Sequence, residues 1–183
     1  MNVEARKYRF RLLDAAVSRT FKIYLIASGA PDVRIPFTVA GADAGFLDHP
    51  VNTTDLVISM AERWEIIIDF EAYKGQNITV MNERNFQVND DFPETDKVMR
   101  FVVAEDKTSD AGNGPLPAHL ADLALPEAHP IVDQNFTFGR TNGQWTINGV
   151  AFIIVQNRIL ANPGQGKVQR WRFTNRSNGK FSR

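Results

Sequence analysis

Apolar and polar side chains alternate along most of this chain, and a period of two marks strands rather than helices. From Arg6 to Asp14, Tyr8, Phe10 and Leu12 take one side and Lys7, Arg9 and Arg11 the other, which predicts a strand with one wetted face. The runs Phe21–Ile26, Ile35–Ala40, Leu56–Met60, Trp64–Phe70, Ile78–Met81 and Val98–Val103 predict six more, rich in β-branched and aromatic residues. Turns are expected at Gly29–Asp32, at Gly41–Gly45 and at Lys74–Gln76, and an acidic loop at Asn89–Asp96.

The pattern changes after Asp106. Thr108–Pro115 has the Gly, Asn, Ser and Pro content of a linker, and Leu116–Leu123, with its early Pro117, predicts a short helix ended by Pro126 and Pro130. Strands resume at Asn135–Gly139, Gln144–Asn148, Val150–Val155 and Val168–Thr174. In the last of these, Val168, Arg170, Arg172 and Thr174 share one face, and Gln169, Trp171, Phe173 and Asn175 the other. Many short strands with turn signals between them predict an all-β sandwich or barrel.

Composition narrows the chemistry. The 183 residues, 43% apolar with 13 Phe and 3 Trp, are enough for one packed domain and part of another. Charge balances at zero, from 21 basic and 21 acidic residues, so nothing electrostatic points to nucleic acid or an anionic membrane as a partner. No apolar run approaches the roughly 20 residues of a spanning helix. Met1–Glu4 carries no leader-like pattern, so no signal peptide is visible. The absence of cysteine removes disulfides, thiolate nucleophiles, iron–sulfur clusters and thiolate-ligated copper.

Few side chains are left for a site. Gly41–Gly45 lacks the Lys-Ser/Thr and following helix of a phosphate loop, and Asn89–Asp96 lacks the Gly and terminal Glu of a calcium loop. His49, His119 and His129 stand 70 and 10 residues apart, none at metal-ligand spacing, and read as surface or structural. Asp14, Glu62, Glu65 and Asp69 are scattered along strands with no paired nucleophile and histidine. No catalytic or metal-ligating residue is predicted. Four sequons, at Asn52, Asn77, Asn135 and Asn175, are candidate N-glycosylation sites and point to a secreted, extracellular parent protein.

Several blocks, in one order, carry a resemblance. Arg6–Phe21, Ile58–Asp69, Thr95–Ala104, Phe138–Thr141, Trp145–Phe152 and Val155–Asn162 resemble the multicopper oxidases, fungal bilirubin oxidases above all, from about Val3 to Gly179. The resemblance implies an incomplete cupredoxin-like Greek-key β-sandwich. Residues 1–106 would be the second cupredoxin domain without its first strands. Residues 107–134 would be the interdomain linker with its short helix, and 135–183 the opening strands of the third domain.

What the resemblance implies for function is divided. The parent would use copper to oxidise phenolic or tetrapyrrole donors and reduce dioxygen to water. Its copper ligands belong to the first and third domains, so this chain would carry no copper and be inactive alone. Arg140 matches a position near the substrate mouth. Ser182 stands where the family has the first His of a copper motif and Lys180 where it has a Trp, so Lys180–Arg183 reads as intron-derived sequence, with a tag remnant as the alternative. Met1 reads as an internal methionine of a longer protein. Incomplete sheets leave strand edges unpaired, which predicts a homodimer joined at those edges. The alternative function is a secreted, non-catalytic β protein acting by binding, such as an effector or elicitor.

Overall fold

The computed structural model describes residues 1–84, 86, 93–124, 126–153, 156 and 159–177. The chain divides into two compact units, Met1–Leu123 and Ala124–Arg183.

The first unit contains two sheets. One runs in the order β1 (Asn2–Val3), β10 (Lys97–Val103), β9 (Asn77–Asn82), β3 (Phe21–Ala27), β4 (Ala30–Arg34), with β7 (Asp55–Ile58) also paired to β3. The other runs β2 (Lys7–Leu13), β8 (Arg63–Asp69), β5 (Phe37–Ala42), β6 (Gly45–Thr53). Alternation decides what lies between them. Ile23, Leu25 and Ala27 of β3, Ile78 and Val80 of β9, and Phe101 and Val103 of β10 are buried from one sheet. Phe37 and Val39 of β5 and Ile66 and Ile68 of β8 are buried from the other. All belong to one core cluster, with Tyr8, Phe10 and Leu12 of β2 packed against it. Each fully buried Val, Leu, Ile or Phe side chain among them stabilises the fold by about 1.5–3 kcal/mol over leaving it in water.

Two expectations fail here for local reasons, both involving proline. Gly29–Asp32 is not simply a turn: β4 begins at Ala30 and pairs with β3 through a register shift after Ile26. Its Pro31 is tolerated because β4 is an edge strand, where a missing N–H leaves no ladder gap. The edge strand β6 likewise accommodates Pro50, beside His49. The helix expected at Leu116–Leu123 is absent. Proline at 115 and 117 pushes the preceding residues out of the α region, and the Leu120 N–H donates to Asp48 O on β6 at 2.7 Å instead of to a helical carbonyl. A 3-10 turn, Glu71–Tyr73, follows β8.

Residues 107–123 therefore belong to the first unit. The Lys7 N–H donates to Asn113 Oδ1 at 2.7 Å and Lys107 Nζ pairs with Glu71 Oε1 at 3.0 Å. Arg6 Nη2 also donates to the Ala111 carbonyl. Polar linker chemistry is used here to satisfy the start of β2, which heads an edge strand.

An ion-pair cluster joins three strands of the first sheet. Arg34 reaches Asp55 Oδ2 at 3.1 Å and Glu83 Oε2 at 3.0 Å, Lys22 Nζ reaches Glu83 Oε2 at 3.0 Å, and the Arg34 guanidinium lies 4.1 Å from the Tyr24 ring centroid. Hydrogen bonds from Lys22 and then Arg34 hold the Glu83 carboxyl below its ordinary 4.5. A folded-state value lowered in this way stabilises the fold above the unfolded value and is lost as pH falls through the folded one. The urea midpoint of the parent chain should therefore exceed that of Glu83→Gln above pH 4.5, and the gap should close on acidification below it. A gap that does not change with pH would assign the cluster no role in acid stability.

The second unit is one four-stranded sheet, β13 (Val150–Ala151), β12 (Gln144–Ile147), β11 (Gln134–Thr141), β14 (Trp171–Asn175). β11 and β12 are antiparallel, while β11 and β14 are parallel with Phe136 opposite Phe173. The strand expected over Val150–Val155 is described only at Val150–Ala151, and residues 154 and 155 lie outside the described part. Asp133 Oδ2 clips the sheet's entry, accepting the Arg170 N–H at 2.8 Å while His129 Nδ1 lies 2.8 Å away.

Candidate functional site

The one residue singled out for function, Arg140, sits near the end of β11 beside a two-residue turn. Asn142 and Gly143 both have positive φ, 50° and 79°, the backbone that joins twisted antiparallel strands most directly. The turn sets Arg140 opposite Trp145. The guanidinium then lies 5.1 Å from the Trp145 ring centroid, and Nη2 donates to Gly143 O at 3.2 Å. A second Asn-Gly turn at Asn148 and Gly149 repeats the device between β12 and β13. The Asn148 side chain crosses back to β11, accepting the Thr137 N–H at 2.7 Å and donating to Asn135 O at 3.0 Å. Both hairpins were available in the sequence as Asn-Gly pairs.

Register places the aromatics of this sheet on the same side as Arg140. Phe136, Phe138, Trp145 and Ile147 follow from β11 and β12, and Trp171 and Phe173 from β14. Phe136 lies 5.1 Å from Trp171 and 5.5 Å from Phe173, centroid to centroid. Trp145 is 54% exposed and Phe173 61%, so the arginine borders an open aromatic surface. Such a surface can stack an aromatic ring and offer it a cation. It holds no nucleophile and no acid–base pair.

The residues of this chain do not fit a copper centre. Blue copper needs a thiolate with two imidazoles, and there is no cysteine. The three histidines each face an aspartate close by in sequence: His49 with Asp48, His119 with Asp122 and His129 with Asp133, all at 2.8 Å. Hydrogen bonding to His49 lowers the Asp48 carboxyl, and Asp133 is lowered first by the Arg170 N–H. Among the described residues no three His, Cys, Asp or Glu side chains gather as a metal site. Lys180 and Ser182, and Asn89–Phe92 of the acidic loop, lie outside the described residues.

The sequons differ in setting. Asn52, Asn135 and Asn175 are exposed, while Asn77 is half-buried at the start of β9, between Ser28 and Val102. Asn175 Oδ1 accepts from Ser177 N at 2.9 Å and from Ser177 Oγ at 2.6 Å. Sequence reading missed one feature altogether, a large cavity inside the first unit, because no local pattern announces an unfilled core.

No family model matches the chain. A bilirubin oxidase of Albifimbria verrucaria is 49% identical over 182 residues, 97% of this chain and 32% of that protein. A laccase of Bacillus stratosphericus is 31% identical over 185 residues, 98% of this chain and 34% of that protein. Among solved structures, the McoA multicopper oxidase of the hyperthermophile Aquifex aeolicus matches with a TM-score of 0.81 at 25% identity, covering 98% of this chain and 40% of that one. The all-β, cupredoxin-like architecture is common to both. The chain spans about a third of the length of the curated relatives it matches.

Proposed function

We propose, because this chain belongs to the multicopper oxidase family, that it is one part of a bilirubin oxidase-like or laccase-like enzyme. That enzyme, as a whole, oxidises phenolic or tetrapyrrole donors and reduces dioxygen to water. The observation that carries the reading is 49% identity to a bilirubin oxidase, sustained over 97% of the chain. In this proposal residues 1–106 are the second cupredoxin domain, a spacer that orients its neighbours. Residues 107–134 connect it to a third domain that begins at 135. Arg140, exposed beside Trp145, contacts the organic donor at the mouth of the site. The copper that the chemistry requires is held by other parts of the whole protein, since the donor set here does not fit it. Secretion, a fungal source and glycosylation at the exposed sequons belong to the same proposal. Among the described residues no helix is long and apolar enough to cross a membrane.

The test is made on the 183-residue chain, purified, equilibrated with cupric ion and desalted. The expected result is no tightly held copper and no bilirubin oxidation above that of free cupric ion. Retained copper together with oxygen-consuming turnover would overturn the assignment of the ligands to other parts of the protein. The same sample is expected to sediment as a dimer joined at strand edges such as β14. A monomer at every loading concentration would remove that element of the proposal.

A further inference from the structure

One edge of β10 is covered along half its length. β1 lies there, parallel to β10, with Asn2 and Val3 opposite Val102 and Val103. Where β1 covers it, the inward side is sealed: Val3 is 4% exposed and Val103 2%. Met99 shares that inward side with Phe101 and Val103 by alternation, yet it is 40% exposed. Among the described residues no strand lies beside Met99 on this edge.

The exposure continues into the core. A cavity of about 490 Å³ lies between the two sheets, lined by Met1, Val98 and Met99 at this edge and by Phe10, Leu12 and Ile23 further in. Protein interiors are close-packed, and this space is several times the roughly 150 Å³ that holds one benzene molecule. These walls offer water few polar partners, so solvent fills such a space poorly. What fits between two sheets is the row of inward side chains from one more strand.

The backbone fixes the direction and register of that strand. The Met1 ammonium donates to the Arg100 carbonyl at 2.8 Å, and the Met1 carbonyl accepts the Val102 N–H at 2.9 Å. This is the slanted pattern of a parallel ladder, with the ammonium standing where a continuing backbone N–H would stand. The N–H and C=O of one strand residue point to the same side, so the Arg100 N–H faces this edge as well. Continuing the ladder sets the carbonyl of the second residue before Met1 against that N–H. The side chain of the same residue then falls opposite Met99, on the inward side.

We propose, on the reading that this chain is one part of a longer multicopper oxidase, that residues preceding Met1 in that protein continue β1 along β10 and fill the cavity with every second side chain. The chain spans about a third of its curated relatives, so there is length for such a segment. A continuous strand suits the edge better than a separate partner, because the ladder runs through Met1 itself. A separate strand would have to end against the Met1 ammonium.

The experiment adds six residues before Met1 of the 183-residue chain, in two arrangements of one composition. Leu-Thr-Leu-Thr-Leu-Thr sets leucine at the second, fourth and sixth positions before Met1, facing inward. Thr-Leu-Thr-Leu-Thr-Leu turns all three outward, because a one-residue shift moves every side chain to the other face. The first is expected to slow hydrogen exchange at the Arg100 amide about tenfold, the scale of one net hydrogen bond, and to raise the urea midpoint of the first unit. The second should leave the midpoint of the unextended chain unchanged. In the longer protein the native segment should give the Arg100 amide the same protection. Equal behaviour of the two arrangements, or an unprotected Arg100 amide in the longer protein, would overturn the proposal. So would protection in the unextended chain that grows with concentration, the mark of a second copy at this edge. The oxidase reading fails by a different result, retained copper with turnover, which none of these measurements registers.

Discussion

Phe101→Ala is expected to destabilise the first unit by about 3–5 kcal/mol, the range for deleting a buried phenylalanine ring. Phe101 is 2% exposed on β10, and its ring centroid is 5.1 Å from those of both Phe70 and Phe10. Phe70, fully buried, follows β8, and Phe10 belongs to β2, so this ring trio ties the two sheets together. Removing the middle ring forfeits its burial and its two tilted ring contacts, and enlarges a cavity that already reaches it. Urea unfolding, followed by signals from the first unit, measures the loss. Phe173→Ala, at a position 61% exposed, is the comparison and should change stability little. Equal effects from the two substitutions would mean that the space between the sheets is not the unit's stabilising core.

Asn82→Ala is expected to cost about 2–5 kcal/mol, since it strips the partners from two backbone groups at once and each buried unpaired group costs about 1–3 kcal/mol. Asn82 ends β9 and is 2% exposed. Its Oδ1 accepts the Lys22 N–H at 3.0 Å, and its Nδ2 donates to Thr95 O at 3.0 Å. Its own N–H donates to Asp96 O at 2.8 Å. The side chain thus fixes the start of β3 to the segment that leads into β10. Asn82→Asp retains the acceptor for Lys22 but sets a carboxylate oxygen against the Thr95 carbonyl. It should fall between the parent and Asn82→Ala at low pH and lose ground as the carboxyl ionises. Hydrogen exchange at the Lys22 amide gives a local readout. Unchanged protection in Asn82→Ala would show that water or a backbone shift replaces the contact.

Much of the fold could be read one strand at a time. β2, β3, β8, β9 and β10 sit where period-two alternation predicts them, because a buried face selects every second residue whatever the partner strand. Arg140 and Trp145 share a face because an Asn-Gly turn dictates the pairing of the residues around it, again a local matter. Edge strands were harder. β4 carries Pro31 and β6 carries Pro50, and a rule that treats proline as punctuation passes over both, although an edge tolerates it. The helix expected at Leu116–Leu123 failed because its backbone found a partner on β6, some seventy positions away in sequence, which no window of neighbours contains.

By itself the sequence determined the all-β class, the family, and the lack of any thiolate or paired histidines with which to hold blue copper, since these rest on residue type and local period. Tertiary structure alone decided that Asn82 would be buried with both its amide groups satisfied and that β14 would run parallel to β11. It also decided that a cavity would open beside Met1, between the two sheets of the first unit. Those outcomes depend on which distant segments meet, and that is settled by the joint packing of sheets rather than by any property of the segments taken singly.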